Sequence, residues 1–224
     1  MDPRGRNGEK MKHICTACLM TALVFAASAE QRTWRIMPVG DSITDGGKDA
    51  GYRSLLLKKL TAAGYRVQFV GTRGRDPLRH EGYGGKNAEF LATVVGKNFR
   101  QHPADIVLLH CGHNHFAEEK PIPGILAATE QMIADFRATN PNVIVLLAQV
   151  IPSGKLPKYS YIPELNRELA TLAKRLNVIL VDQASGFDWN TDTVEDKVHP
   201  NAAGKEKMAT RWFEALKPIL EKQP

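Results

Sequence analysis

Residues 34–44 read Trp34-Arg35-Ile36-Met37-Pro38-Val39-Gly40-Asp41-Ser42-Ile43-Thr44, "WRIMPVGDSIT". The short apolar run over 34–39 predicts a buried strand, and Gly40 breaks it. A polar pair, Asp41-Ser42, follows at once. The same figure recurs down the chain. Strands are predicted over 66–70, 105–109, 143–150 and 178–181. Between them lie helical patterns over 52–63, 88–101, 125–139 and 163–176, and a last one over 200–220. The first helix carries leucines at 55, 56 and 60 and stops at Gly64. The continuous apolar run of 105–109 marks a strand covered on both faces.

Strands alternating with helices imply βαβ units and a parallel sheet. The fold class is α/β: a three-layer α/β/α, flavodoxin-like domain with five parallel strands in the order 2-1-3-4-5. The longest irregular stretches, 71–87, 112–123, 151–161 and 183–199, each follow the C-terminal end of a strand. In open α/β sheets ligands bind at that edge.

A chain of 224 residues with 43% apolar content can bury a sizeable core. One domain is expected over 30–224. Residues 1–29 read differently. Met11 opens Lys12-His13, an apolar run covers 14–27, and Ala27-Ser28-Ala29 closes it. This is the basic, apolar and small-residue order of a secretory signal, cut after Ala29. The run is too short to span a bilayer comfortably. A secreted or periplasmic protein, free of the membrane after signal cleavage, is the expectation. Cys15 and Cys18 fall in the signal, so the mature chain keeps Cys111 alone and no intramolecular disulfide. Cys111 ends an apolar strand and reads as an inert buried thiol. The formal charge is +6, and residues 1–29 hold four Lys/Arg and two Asp/Glu, leaving +4. The basic residues are dispersed without aromatic interleaving, which argues against nucleic-acid binding.

Four strand-end loops carry chemistry. A serine hydroxyl needs an adjacent base and a group that orients the base. Ser42 follows the first strand. Asp196 and His199 stand three residues apart after the fifth, close enough for carboxylate and imidazole to meet. Histidine suits the base because its unperturbed pKa is about 6.5. The Ser42 N–H, the backbone of Gly85 in "HEGYGG" and the side-chain amide of Asn114 are candidate oxyanion donors. Asp41 reads as a loop-stabilising residue beside Ser42. In isolation Ser42 also fits a helix N-cap. Tyr83, Tyr159 and Trp189 lie in these loops, where packing competes with stacking against a ligand.

The stretch His110-Cys111-Gly112-His113-Asn114-His115-Phe116 packs three histidines and a cysteine into six positions, a zinc-like composition. A catalytic zinc needs three converging ligands, and no second cluster lies nearby in sequence. The competing account is a loop whose Asn114 amide is one of the candidate oxyanion donors, with His113 and His115 lining the pocket or its rim. No metal and no cofactor are expected.

This constellation resembles the SGNH hydrolase superfamily, the GDSL esterases and lipases. "GDSIT" matches its first block, with Ser42 as nucleophile. Gly85 best matches the second block's glycine, with Gly84 one position off. Gly112-His113-Asn114-His115 matches the third block, G-x-N-D. Asp196 to His199, followed by Pro200, matches the fifth, D-x-x-H. Each motif alone is weak; four in order, each at a strand end, are specific. The departure is His115 where the family has Asp, which bears on how Asn114 is oriented or how the substrate sits. "RIMPVGDSITDG", "GYRSLLLKKLTAAGYRVQFVG" and "HEGYGG" look most like the carbohydrate esterase branch that includes acetyl xylan esterases.

The resemblance implies a serine esterase with the triad Ser42, His199 and Asp196, and an oxyanion hole of Ser42, Gly85 and Asn114. Asp41, Gly84, His113 and His115 are expected about the substrate pocket. The implied substrate is an acetylated polysaccharide or oligosaccharide. A lysophospholipase or lipase of the same superfamily is the alternative in substrate; a non-catalytic carbohydrate-binding derivative is the alternative in kind.

Overall fold

The expected first strand runs from Trp34 to Gly40 (β1) and lies at the heart of a parallel sheet. A computed structural model describes residues 32–222, so the signal reading of 1–29 lies outside the described residues. In chain order the elements are β1, α1 (Ser42–Asp45), α2 (Tyr52–Ala62), β2 (Val67–Phe69), β3 (Glu81–Gly82), α3 (Ala88–Gln101) and β4 (Ile106–His110). Then follow α4 (Ile122–Thr139), β5 (Ile144–Ala148), α5 (Ile162–Leu176), β6 (Ile179–Val181), α6 (Trp189–Asp192) and α7 (Ala202–Leu220).

The sheet order is β2-β1-β4-β5-β6, with every pairing parallel. With β3 set aside this is the expected 2-1-3-4-5 arrangement. Alternate strand residues face opposite layers. Met37, Val39, Val107, Leu109, Val145 and Leu147 pack against α3, α4 and α5. Ile36, Ile106, Leu108, Leu146 and Ala148 pack against α2 and α7, around the fully buried Trp212. The result is three layers.

Sequence patterning misses β3 because two residues carry no periodicity. Its reason is tertiary. β2 pairs with the first half of β1, the chain swings out, and Glu81–Gly82 returns to pair with Val39 and Gly40 on the same edge. Ile36 O accepts from Val70 N–H and Gly40 O from Tyr83 N–H, so even-numbered residues of β1 face this edge. Pro38 falls between them, where β2 has ended and β3 has not begun. Its missing N–H therefore costs no ladder bond in a central strand. The Glu81 carboxylate anchors the returning chain: it accepts from Thr72 N–H, from Tyr83 O–H at 2.7 Å and from Asn98 Nδ2 at 2.8 Å.

Helix ends follow local chemistry. The fourth helix starts at Ile122, earlier than the periodicity suggests, because Pro123 is accommodated in its first turn. The last helix begins at Ala202 instead of residue 200: the Asn201 side chain caps it, accepting from the N–H groups of Ala203 and Gly204. Among the described residues no helix is long and apolar enough to cross a membrane.

Candidate active site

The site is built from the ends of strands. Gly40 closes β1 because a side chain has no room there: a Cβ would lie 2.2 Å from His110 O and 2.4 Å from Thr44 Oγ1. The chain turns into α1 with Asp41 as its cap, Asp41 Oδ1 accepting from Ile43 N–H at 2.9 Å. Asp41, not Ser42, thus does the capping, and the Ser42 hydroxyl is left for another partner.

That partner is His199. Ser42 Oγ lies 2.8 Å from His199 Nε2, and His199 Nδ1 lies 2.5 Å from Asp196 Oδ2. Asp196 Oδ1 also accepts from the N–H groups of Val198 and His199, at 2.8 and 2.9 Å. One carboxylate therefore holds both the ring and the loop that carries it. Burial pushes the Asp196 carboxyl up, but the bonds from His199 and the two N–H groups outweigh this and hold it below its ordinary value. An ionised Asp196 can hold the imidazole ring in one orientation.

Asn114 takes a left-handed backbone conformation, φ 69°, which asparagine tolerates better than most residues. Its Nδ2 donates to Lys86 O at 2.9 Å. This brings the third loop to the turn that contains Gly85, an exposed residue with φ 71°. One amide hydrogen of Asn114 remains for a second acceptor. Gly84 is exposed beside it, its ideal Cβ position 3.5 Å from Asp45 Oδ2.

The expectation that Asp41, His113 and His115 line the pocket is corrected. They are 1%, 2% and 5% exposed and lie beneath the surface. His113 sits behind the nucleophile loop, its Nδ1 3.7 Å from Asp41 Oδ2 and its ring edge-on to buried Tyr159. Burial alone would raise the Asp41 carboxyl; His113 chiefly, then His110 and the Ile43 N–H, outweigh it and hold it below its ordinary value. His115 turns to Glu89 Oε2 at 3.0 Å and Glu119 Oε2 at 3.5 Å. Glu89 belongs to α3, so His115 faces that helix from beneath the third loop. His110 stays on β4, its Nε2 accepting from Ile151 N–H, and burial lowers its pKa to about 4. The three imidazoles do not converge: among the described residues no group of three His, Cys, Asp or Glu side chains is arranged to hold a metal. Cys111 is buried, its thiol pushed up to about 12.

Ser42 and His199 open onto a cleft of about 370 Å³ with exposed Val194 at its side and buried Ile43, Tyr52, Pro200 and Met208 packed behind it. The loop aromatics pack: Tyr159 is buried, Tyr83 meets Phe90 edge-on, and Trp189 sits where a Gly154 Cβ would lie 2.1 Å from its ring. Sequence reasoning leaves Arg53 unassigned. It is buried on α2 and donates from Nε to Thr44 O and from Nη2 to Asp45 O, both at 2.7 Å, and from Nη1 to Leu78 O. It thus fixes the C-terminal end of α1 against the β2–β3 loop. At a helix start Arg53 fits a surface position or a substrate contact equally well, so the sequence does not decide between them.

Residues 39–207 match the GDSL-like lipase/acylhydrolase family. The chain belongs to that family. It is thereby placed among the SGNH ester hydrolases, and solved structures agree. The Clostridium thermocellum family 3 carbohydrate esterase matches with TM-score 0.71 and 29% identity, over 85% of this chain and 98% of that one. A family 3 carbohydrate esterase from Talaromyces cellulolyticus shares the fold, with TM-score 0.76 and 23% identity, over 85% of this chain and 100% of that one. The multidomain esterase of Ruminococcus flavefaciens is 29% identical, over 87% of this chain and 30% of that protein. This family member spans less than a third of that relative's length.

Proposed function

We propose that this protein is a secreted or periplasmic serine esterase that removes acetyl or similar short acyl groups from carbohydrate. The observation that carries the reading is the run of contacts Ser42 Oγ, His199 ring, Asp196 carboxylate, at 2.8 and 2.5 Å. In this reading His199 Nε2 takes the Ser42 proton as the oxygen attacks the ester carbonyl. The Ser42 N–H, the Gly85 N–H and the free amide hydrogen of Asn114 receive the oxyanion. His199 then protonates the leaving sugar hydroxyl, and water repeats the sequence on the acyl-enzyme. Likeness to family 3 carbohydrate esterases supports a sugar ester; the N-terminal signal pattern supports export.

The test is hydrolysis of p-nitrophenyl acetate by the mature protein and by Ser42→Ala, alongside acetate release from acetylated xylan. Activity in the wild type that is lost in the variant is expected. Equal rates in both would end the proposal. A fluorophosphonate probe should label Ser42; saccharide binding with no labelling would favour a non-catalytic derivative.

Val194, exposed beside the cleft, favours a second reading, a longer acyl chain lying against it. Acetyl and octanoyl esters separate the two. A strong preference for octanoyl would move the substrate class to lipids.

A further inference from the structure

Asp41 and Ser42 are chain neighbours, and so are His113 and Asn114. The first pair follows β1 and the second follows β4, and these strands lie side by side. Asp41 Oδ2 faces His113 Nδ1 at 3.7 Å, both side chains being buried. That separation is too long for a hydrogen bond, but it is a close electrostatic contact where water is excluded. Asp41 Oδ2 and both His113 ring nitrogens have no hydrogen-bond partner among the described residues. Around the His113 ring stand His110, 6.2 Å between ring centres, and Tyr159, 5.2 Å between ring centres. A residue placed only to fill space would be apolar, because burying polar nitrogens without partners is costly.

We infer that Asp41 and His113 form a buried strut that sets the separation between Ser42 and Asn114, making both positioning residues for ester hydrolysis. The inference rests on the esterase reading. Each end of the strut is one peptide bond from a reacting group. Asp41 Oδ1 is already committed to Ile43 N–H, so the carboxylate cannot turn toward His113 without moving α1. A shift of His113 passes directly to Asn114 and on to its bond with Lys86 O. Misplacement of about 1 Å costs a rate on the order of 100-fold.

The test uses the mature protein, p-nitrophenyl acetate and His113→Phe, which keeps the ring against Tyr159 and removes both nitrogens. Expected is a fall in kcat of about 10- to 100-fold with KM changed less than about threefold, as for a loss confined to the transition state. His113→Gln, which restores a polar donor, should recover most of the loss. In an Asn114→Ala background His113→Phe should cost less than about threefold more, because both act through one group. Wild-type kcat in His113→Phe, or losses that multiply with Asn114→Ala, would overturn the strut. Should His113→Phe not fold by circular dichroism, Asp41→Asn decides by the same two criteria, since asparagine keeps the helix cap and removes the facing charge. An inactive wild type would instead sink the esterase reading itself.

Discussion

Ser42 Oγ and His199 Nε2 lie 2.8 Å apart although 157 residues separate them in the chain. Two features set that distance. Asp41 caps α1 and frees the hydroxyl. The loop before α7 closes on itself, Val194 N–H donating to His199 O at 2.9 Å and Asn201 Nδ2 to Thr191 O and Thr193 O. The serine's turn and the loop that carries the imidazole are thus each braced by contacts of their own neighbouring residues.

Asp196→Asn should keep the loop largely in place and lose the ring's orientation. Asparagine can still accept from Val198 and His199 N–H, but it lacks the charge that holds the imidazolium. A fall in kcat of roughly 10³- to 10⁴-fold with little change in KM is expected from steady-state kinetics. A loss below tenfold would show that Asp196 does not orient the base.

Arg53→Met should destabilise the fold through three carbonyls, those of Thr44, Asp45 and Leu78, left without their donor. About 2–5 kcal/mol is expected from denaturant unfolding, because each buried acceptor that loses its partner is costly. Stability within about 0.5 kcal/mol of wild type, the usual range for surface substitutions, would show that the contacts are incidental.

Gly40→Ala should be among the most damaging small substitutions. Its Cβ would sit 2.2 Å from a backbone oxygen of the neighbouring strand, and that oxygen cannot swing aside. Separation of β1 from β4, with a cost of roughly 1–3 kcal/mol or more, is the expected outcome in thermal unfolding. A melting temperature equal to that of the parent would contradict the close approach.

Stability should fall on acidification. His80 is buried and its pKa is lowered to about 3, by burial first and then by Arg53 and Arg73; His110 is lowered to about 4, chiefly by burial. Unfolded, each titrates near 6.5. Between those values the unfolded chain binds protons that the folded chain refuses. The stabilising contribution is complete above pH 6.5 and is lost progressively as pH falls toward 4 and then 3. His80→Asn can still accept from Gly82 N–H through its side-chain oxygen, and it should flatten this slope in unfolding measured from pH 7 to 4. An unchanged slope would mean that His80 is protonated in the fold.

The sequence by itself determined the class, the strand order and which loops matter. Apolar runs such as 105–109 alternate with helical periodicity, and right-handed βαβ connections leave few ways to wind such a chain. It also singled out Ser42, Asp196 and His199, which the structure brings within hydrogen-bond distance: the Asp196–His199 spacing is local, and Ser42 came from the resemblance of "GDSIT" to a family block. Only the tertiary structure decided the rest. Arg53 looks like a surface charge until three carbonyls from two segments surround it. β3 exists because β1 offers an unpaired edge, with Pro38 at the gap. His113 and His115 look alike on paper, yet one meets Asp41 beneath the nucleophile and the other meets Glu89 and Glu119. Burial and partnership between residues distant in the chain are properties of packing, and no local pattern of side chains encodes them.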